Sequence, residues 1–451
     1  MNSKLRESVT AVFQCQENGE DKYLLLERAH HLRAFPGFTS FVGGKVDKED
    51  ARDSELGYQH QTGLDDRFLR AINREVKEEV GYDLVANASN ILDVKFLGIA
   101  TTPAFQKIRF QNYYVLFKLQ KTFETIDDDG EIRSSAWLTL DEFFKQDDLG
   151  LHMMVPPSRN VLRGLKEGRL PKEHPDELDL VFAEDKVPEI EFVTGISILM
   201  PLSNTFPPAN RTNCFYFGDP AILIDPSPKN EAELKKLMNT IGNRKVDKVF
   251  LTHHHPDHHE FAPTVARELI VPLVMSSNTH ELILKQKGEN YFGNCQVEFL
   301  EDGDLICQWH DHKVRAIATP GHASGQLTLV SDNNQIAIVN DLIQTVGTVV
   351  VAPPNGHMGD YFKSLQKMID RNDKFIFPSH GLPLGGVHKL QKTLEHRQQR
   401  ENGIKELLAK GKSFDEIVSI IYADLDERLL PYAQGTVKAH LEKINEETTS
   451  S

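Results

Sequence analysis

Cysteine is scarce in this chain of 451 residues. Cys15, Cys214, Cys295 and Cys307 form no close pairs, which excludes a disulfide scaffold and a thiolate metal site and leaves four reduced thiols. Long apolar runs are missing too: nothing approaches the roughly 20 residues that a membrane helix needs. The opening Met1-Asn-Ser-Lys-Leu-Arg-Glu-Ser8 lacks the apolar core of a secretory signal, so a cytoplasmic protein with no membrane partner is expected. No repeat or low-complexity tract is visible, which excludes solenoid architectures. Positive charge is in deficit: 51 Lys and Arg face 66 Asp and Glu, a net charge of -15. That balance argues against broad affinity for nucleic acid, while leaving room for a local basic groove. The remaining composition is ordinary for globular protein, in a chain long enough for more than one domain.

Histidine, by contrast, is concentrated. Leu251-Thr-His-His-His-Pro-Asp-His-His259 follows Val246-Asp-Lys-Val-Phe-Leu-Thr252, an apolar run that reads as a buried strand. His253, His255, Asp257 and His258 thus reach a loop together. Four potential ligands so close need one centre to serve, because unpaired buried imidazoles and carboxylates are costly. Imidazole nitrogen and carboxylate oxygen suit Zn(II). Alternate residues His253 and His255 can converge on one ion, while Asp257 and His258 point to a neighbouring position. Three later apolar segments end in further candidates. Val314-Arg-Ala-Ile-Ala-Thr-Pro-Gly-His322 breaks at Pro320-Gly321 and delivers His322. Gln335-Ile-Ala-Ile-Val-Asn-Asp341 ends in Asp341, and Lys374-Phe-Ile-Phe-Pro-Ser-His380 ends in His380.

In this order the residues resemble the metallo-β-lactamase superfamily, with its HxHxDH loop and three later single ligands. The resemblance implies two zinc ions: one on His253, His255 and His322, the other on Asp257, His258 and His380, with Asp341 bridging. Asn340 stands where many members have Gly; no loss of metal is expected from it. Two neighbouring cations bring the pKa of a shared water to about 7 and polarise the bond under attack. Asp257 is the catalytic candidate, placed to orient that water and take its proton. Asp225, after Ala221-Ile-Leu-Ile224, is either a partner that orients ligands or a simple turn residue before Pro226.

In the first third, Ser8-Val-Thr-Ala-Val-Phe-Gln-Cys15 and Lys22-Tyr-Leu-Leu-Leu-Glu-Arg28 read as strands. A polar insertion over roughly 50–66 has no clear period. Phe68 to Val80 then has helical periodicity, with Leu69, Ile72, Val76 and Val80 as one apolar stripe and Gly81 as its cap. Glu75, Glu78 and Glu79 share the opposite face, where like charges repel. A solvated acidic face and a site for Mg(II) or Mn(II) both fit that spacing. Gly43 to Glu49 and Arg74-Glu-Val-Lys-Glu-Glu-Val-Gly-Tyr82 resemble the Nudix box, G-x5-E-x7-R-E-U-x-E-E-x-G-U with U aliphatic. Two departures stand out: the gap before Arg74 is longer than the family's, and Tyr82 replaces the last aliphatic residue. The resemblance implies that Glu75, Glu78 and Glu79 bind the metal, with Glu78 and Glu79 catalytic, and that Glu49 and Arg74 brace the loop. The segment Arg28 to Asp50 looks like that of coenzyme A diphosphatases. Strands at 91–101 and 108–119, and a strand and short helix over 136–144, continue that fold; Asp127-Asp-Asp-Gly130 reads as a solvated turn.

The C-terminal stretch holds a long amphipathic helix over 387–408, a helix opened by a capping box from Ser413 to Glu416, and a third helix over 436–444. With His396-Arg397 and Arg400, it resembles the lactamase-β-like 2 branch near glyoxalase II, which ends in a winged-helix-like unit. Such a unit serves either as a nucleic-acid binder or as a packing cap on the metal domain. The expected organisation is α/β and α+β multidomain. A Nudix α/β/α sandwich spans 1–150 and a helical extension and linker 151–189. A metallo-β-lactamase αββα sandwich spans 190–386 and a helical winged-helix-like unit 387–451. The expected function is a bifunctional hydrolase. One site cleaves a diphosphate in a coenzyme A or nucleotide derivative with Mg(II), and the other a thioester or similar ester with two Zn(II). The alternatives are RNA processing and a Nudix domain kept as a non-catalytic regulator. The short spacing from Asp341 to His380 leaves no room for the inserted domain of β-CASP nucleases.

Overall fold

The computed structural model describes residues 5–51, 59–106, 108–126, 130–169 and 178–449. It divides into two compact units, residues 1–182 with 191–194 and residues 183–190 with 195–451. Parts of three expected features fall outside the described residues: 52–58 of the insertion, 127–129 of the acidic turn, and 170–177 of the extension and linker.

Alternation with period two organises the first unit. Along the strand Leu5–Glu17, Val9, Ala11, Phe13 and Cys15 enter one core, while Val12 enters another on the opposite face. This central strand pairs in parallel with Arg109–Leu119 and antiparallel with Glu20–Arg28 and Val42–Lys45. Ile91–Thr101 and Ile132–Thr139 extend the sheet on either side. The helix Asp66–Val80 covers one face with Leu69, Ile72, Val76 and Val80, the stripe read from the sequence. It begins two residues before Phe68 because the Asp65 side chain caps it, accepting from the Arg67 N–H at 3.0 Å. Gly81 closes it with φ 68°. On the other face lie Phe143 of the helix Leu140–Asp147 and Val161 and Leu162 of Pro156–Lys166. Helices on both faces of a mixed sheet make the expected sandwich.

The second unit has two sheets. One orders its strands Val297–Phe299, Leu273–Met275, Lys248–Phe250, Ile222–Ile224, Cys214–Phe217 and Ile196–Leu199. The first four run parallel and are short; the inner ones are apolar and buried, and the helices Glu231–Ile241, Ala262–Leu269 and Ser277–Lys287 cover them. The other sheet orders Leu305–Trp309, His312–Ala318, Leu327–Ser331, Ile336–Asn340, Phe375–Pro378 and Leu384–Gly385. Met358–Arg371 and the long helix His388–Ala409 pack on it through Tyr361, Leu365, Leu390 and Leu394. Phe414–Ile421 opens with the expected capping box at Ser413 and Glu416. The last helix runs over Leu430–Thr449, well beyond 436–444 at both ends. Ile404, Ile417, Val418 and Val437 form the small core of this helical end. The four cysteines are free. Among the described residues no helix is long and apolar enough to cross a membrane.

Gly43 has no room for a side chain, since a Cβ there would lie 2.2 Å from the Val9 carbonyl oxygen. Gly43→Ala should therefore cost about 1–3 kcal/mol or more through overpacking. Faster hydrogen exchange in the strand Leu5–Glu17 would report it; unchanged exchange would count against this close approach.

Candidate metal centre

Four histidines at the head of the second unit are fixed by the bond their other ring nitrogen makes. His322 Nδ1 lies 2.7 Å from the Val350 carbonyl oxygen and His380 Nδ1 2.9 Å from that of Arg211. A carbonyl oxygen only accepts, so both Nδ1 atoms carry the proton. His258 Nδ1 meets the Asp225 carboxylate at 2.7 Å and is the donor there as well. Thr252 Oγ1 gives its hydrogen to Asp225 at 2.7 Å, so it accepts from His253 Nδ1 at 3.0 Å. Whenever one of these four rings is neutral, the opposite nitrogen, Nε2, is its lone pair.

Those lone pairs face one another. His253 Nε2 is 3.0 Å from His255 Nδ1, which is 2.9 Å from His322 Nε2. His258 Nε2 faces Asp341 at 3.6 Å and Asp257 at 3.8 Å, and His380 Nε2 faces both carboxylates at 3.4 Å. Asp341 also lies 3.6 Å from His322 Nε2, between the two groups. Lone pairs and carboxylates gathered in a buried space repel unless a cation joins them. Among the described residues, the buried atoms His258 Nε2 and Asp341 Oδ1 have no hydrogen-bond partner. His253, His255 and His322 form one cluster able to hold an ion, Asp257, His258 and His380 another, and His253, His258 and Asp341 a third that overlaps both. The residues present thus fit metal ions.

Electrostatics separates the two ends. Burial, reinforced by neighbouring histidines, holds His253 and His255 well below the usual imidazole range; burial lowers His322 as well. These rings stay neutral, as ligands must. At the other end, burial would lower His380, yet Asp341 and Asp257 push it up to about 10. Asp341 is held well below the usual carboxylate range by His380 and His258, against the effect of burial. Protons and cations therefore compete for the second cluster more strongly than for the first.

Local backbone explains the placement. The chain leaves the strand Lys248–Phe250 and turns into the short helix Pro256–His259, which carries Asp257 and His258. His322, Asp341 and His380 follow the strands His312–Ala318, Ile336–Asn340 and Phe375–Pro378. Asn340 takes φ 53°, the left-handed conformation that glycine adopts freely and asparagine tolerates. The substitution noted in the sequence thus keeps the turn before Asp341. Asp225 is 1% exposed and accepts from Thr252 N–H, Thr252 Oγ1 and His258 Nδ1, so of the two open readings it is the orienting partner. Thr205, whose Oγ1 is 3.4 Å from His380 Nε2, escaped the sequence reading because a lone threonine in a loop carries no spacing signal.

In the first unit the acidic residues meet a guanidinium. Arg74 Nη1 donates to Glu75 at 2.8 Å and to Glu78 at 3.1 Å. Glu79 accepts from the Gly43 N–H at 3.0 Å and lies 3.5 Å from Arg28. Burial raises Glu79 to about 7 against those two partners. Among the described residues the three glutamates do not bring three oxygens within 4.8 Å of one another. Gly44 packs on Glu75: a Cβ there would touch its carboxylate at 2.3 Å. One expectation is corrected. Glu49 is exposed, and the carboxylate that braces Arg74 is Asp50, 5% exposed, at 3.1 and 3.2 Å. Counting five residues from Gly44 instead of Gly43 reaches Asp50, so the box runs one residue later with Asp in place of Glu.

Comparison with known proteins agrees with this geometry. Residues 4–165 match the NUDIX domain, 208–380 the metallo-beta-lactamase superfamily and 413–448 the beta-lactamase associated winged helix domain. The chain joins a NUDIX domain to a metallo-beta-lactamase superfamily domain. Both are hydrolase families. The beta-lactamase-like protein 2 homolog of Caenorhabditis elegans is 28% identical over 244 residues, 52% of this chain and 78% of that one. Its Drosophila melanogaster counterpart is 25% identical over 268 residues, 52% and 82%. An atrochrysone carboxyl ACP thioesterase of Pseudocercospora fijiensis is 25% identical over 223 residues, 47% and 62%. The metallo-beta-lactamase domain therefore sides with the beta-lactamase-like protein 2 branch.

Two outcomes follow for the candidate ligands. Asp225→Asn should lower metal affinity about 10–100-fold, by weakening the hold on His258; unchanged metal content after dialysis against a chelator would exclude that role. In the NUDIX domain, millimolar Mg(II) should raise the thermal midpoint of the parent and not of Glu78→Gln, by mass action on the folded state. Diphosphate cleavage should fall about 100-fold or more with the same change. Identical responses of the two proteins to Mg(II) would return the glutamates to a solvated face.

Proposed function

We propose that the protein is a bifunctional metal-dependent hydrolase. In the metallo-beta-lactamase domain, His253, His255 and His322 would hold one Zn(II), Asp257, His258 and His380 a second, and Asp341 both. The observation that carries this reading is the convergence of five histidine ring nitrogens and two carboxylates in overlapping buried groups. Bound divalent cations lower the pKa of water and polarise the bond under attack. The chain's own part is orientation and proton handling. Asp225, Val350 and Arg211 fix the rings of His258, His322 and His380. Asp257 is kept ionised by His258 and His380 in spite of burial, and so is ready to accept the proton of the attacking water. A thioester is the substrate class we favour, because a relative is named for that activity.

In the NUDIX domain, Glu75, Glu78 and Glu79 would hold Mg(II) or Mn(II), with Arg74 moving off Glu75 and Glu78 as the cation enters. A carboxyl near 7, as Glu79 has, suits proton transfer at neutral pH. Its substrate would be a diphosphate in a coenzyme A or nucleotide derivative. A chain carrying both sites could take an acyl thioester of such a coenzyme at one and its diphosphate at the other, in the cytoplasm. RNA is the second reading, since a winged helix domain ends the chain.

The discriminating experiment offers the full chain an acyl-coenzyme A, a nucleoside diphosphate derivative and single-stranded RNA, with Zn(II) or Mg(II) supplied. Thioester and diphosphate hydrolysis are expected. Cleavage of RNA alone would favour the second reading. Asp341→Asn should abolish thioester hydrolysis and leave diphosphate cleavage intact, since the two sites use different residues. Loss of both activities with the fold preserved would mean a single composite site.

A further inference from the structure

Arg397 lies on the helix His388–Ala409, beyond the last residue of the metal centre, and is 3% exposed. A buried guanidinium is costly unless it is paired. Among the described residues no carboxylate pairs with this one. Its Nη2 donates to the Val349 carbonyl oxygen, and its guanidinium stands 5.9 Å from the Tyr361 ring centre. The charge is thus spent on one stretch of backbone and one aromatic face.

That backbone is the one that orients a metal-site histidine. The next carbonyl along, Val350 O, accepts from His322 Nδ1 at 2.7 Å. Tyr361 holds the backbone next to two of the candidate ligands. Its hydroxyl donates to Leu342 O at 2.7 Å, one residue after Asp341. Its backbone presses on Gly321, where a Cβ would meet Tyr361 N and Cα at 2.3 Å. Ser364, on the same helix, donates to Pro320 O at 2.7 Å, and His357 N–H donates to Gly321 O at 2.8 Å. Val349, Tyr361, Leu390 and Leu394 belong to one apolar core.

We propose that Arg397 is a positioning residue for the metal centre, acting from the C-terminal helix. By holding Val349 O it sets the Val349–Val350 peptide, and Val350 O in turn sets the ring of His322. By lying against Tyr361 it also steadies the backbone beside Asp341. The helix that leads into the winged helix region is then part of the centre's support as well as a cover for its sheet. This inference rests on the metal-binding reading of the preceding subsections.

The test strips metal from the full chain and titrates it with Co(II), followed by visible absorption. The parent should bind; failure of the parent to bind would remove the metal reading itself. Arg397→Met should weaken Co(II) binding about 10–100-fold and change the absorption bands, as loss of a partner that orients a ligand does. Leu394→Ala is the control. It lies 8% exposed in the same core, and should lower the thermal midpoint while leaving Co(II) affinity and spectrum unchanged. Arg397→Lys keeps the charge and the stem without the planar fork, and should fall between parent and Arg397→Met. Should Arg397→Met not fold, the lysine variant carries the test. Parent-like affinity and spectrum in a folded Arg397 variant would overturn the proposal. So would equal weakening by Leu394→Ala, which would make the effect one of general packing.

Discussion

Five ring nitrogens and two carboxylates crowd one end of the second unit, and keeping them there is the constraint on which its structure depends. Left alone, such a group would separate or take up protons. Three of the rings are held by bonds made on their far side, to Asp225 and to the carbonyl oxygens of Val350 and Arg211. The partners come from different segments of the unit. Strand ends deliver them to one place because the backbone must leave a sheet there, and a loop can point side chains where a strand cannot.

The two units deal differently with like charge. In the first, Glu75 and Glu78 share the guanidinium of Arg74, which Asp50 holds from the other side. Glu79 is kept apart by the Gly43 N–H and Arg28. This cluster is balanced by the protein's own cation. In the second, three overlapping groups of histidine and aspartate converge. That set is satisfied either by protons, as the raised His380 shows, or by a cation.

Much of the site was legible in the sequence because its residues are tied to local patterns. The histidines of the loop sit two and three positions apart, each later ligand ends an apolar run, and the glutamates share one face of a periodic helix. Secondary elements followed the same logic. Helix starts were displaced where a side-chain cap decided them, as Asp65 did for Asp66–Val80. The register of the NUDIX box was misplaced by one residue because Gly43 and Gly44 are equivalent on paper. They differ only in what a Cβ would strike, Val9 for one and Glu75 for the other.

By itself the sequence determined which residues could bind metal, the order of the domains and the hydrolase chemistry, all of which rest on residue type and short-range spacing. Tertiary structure alone decided which nitrogen of each histidine is free, that Asp50 braces Arg74, and that Arg397 reaches Val349. Each of those depends on partners far along the chain, 28 residues for His322 and Val350, 48 for Arg397 and Val349, and 169 for His380 and Arg211. No local periodicity records such separations, because only the packing of sheets and helices brings the atoms within hydrogen-bond reach.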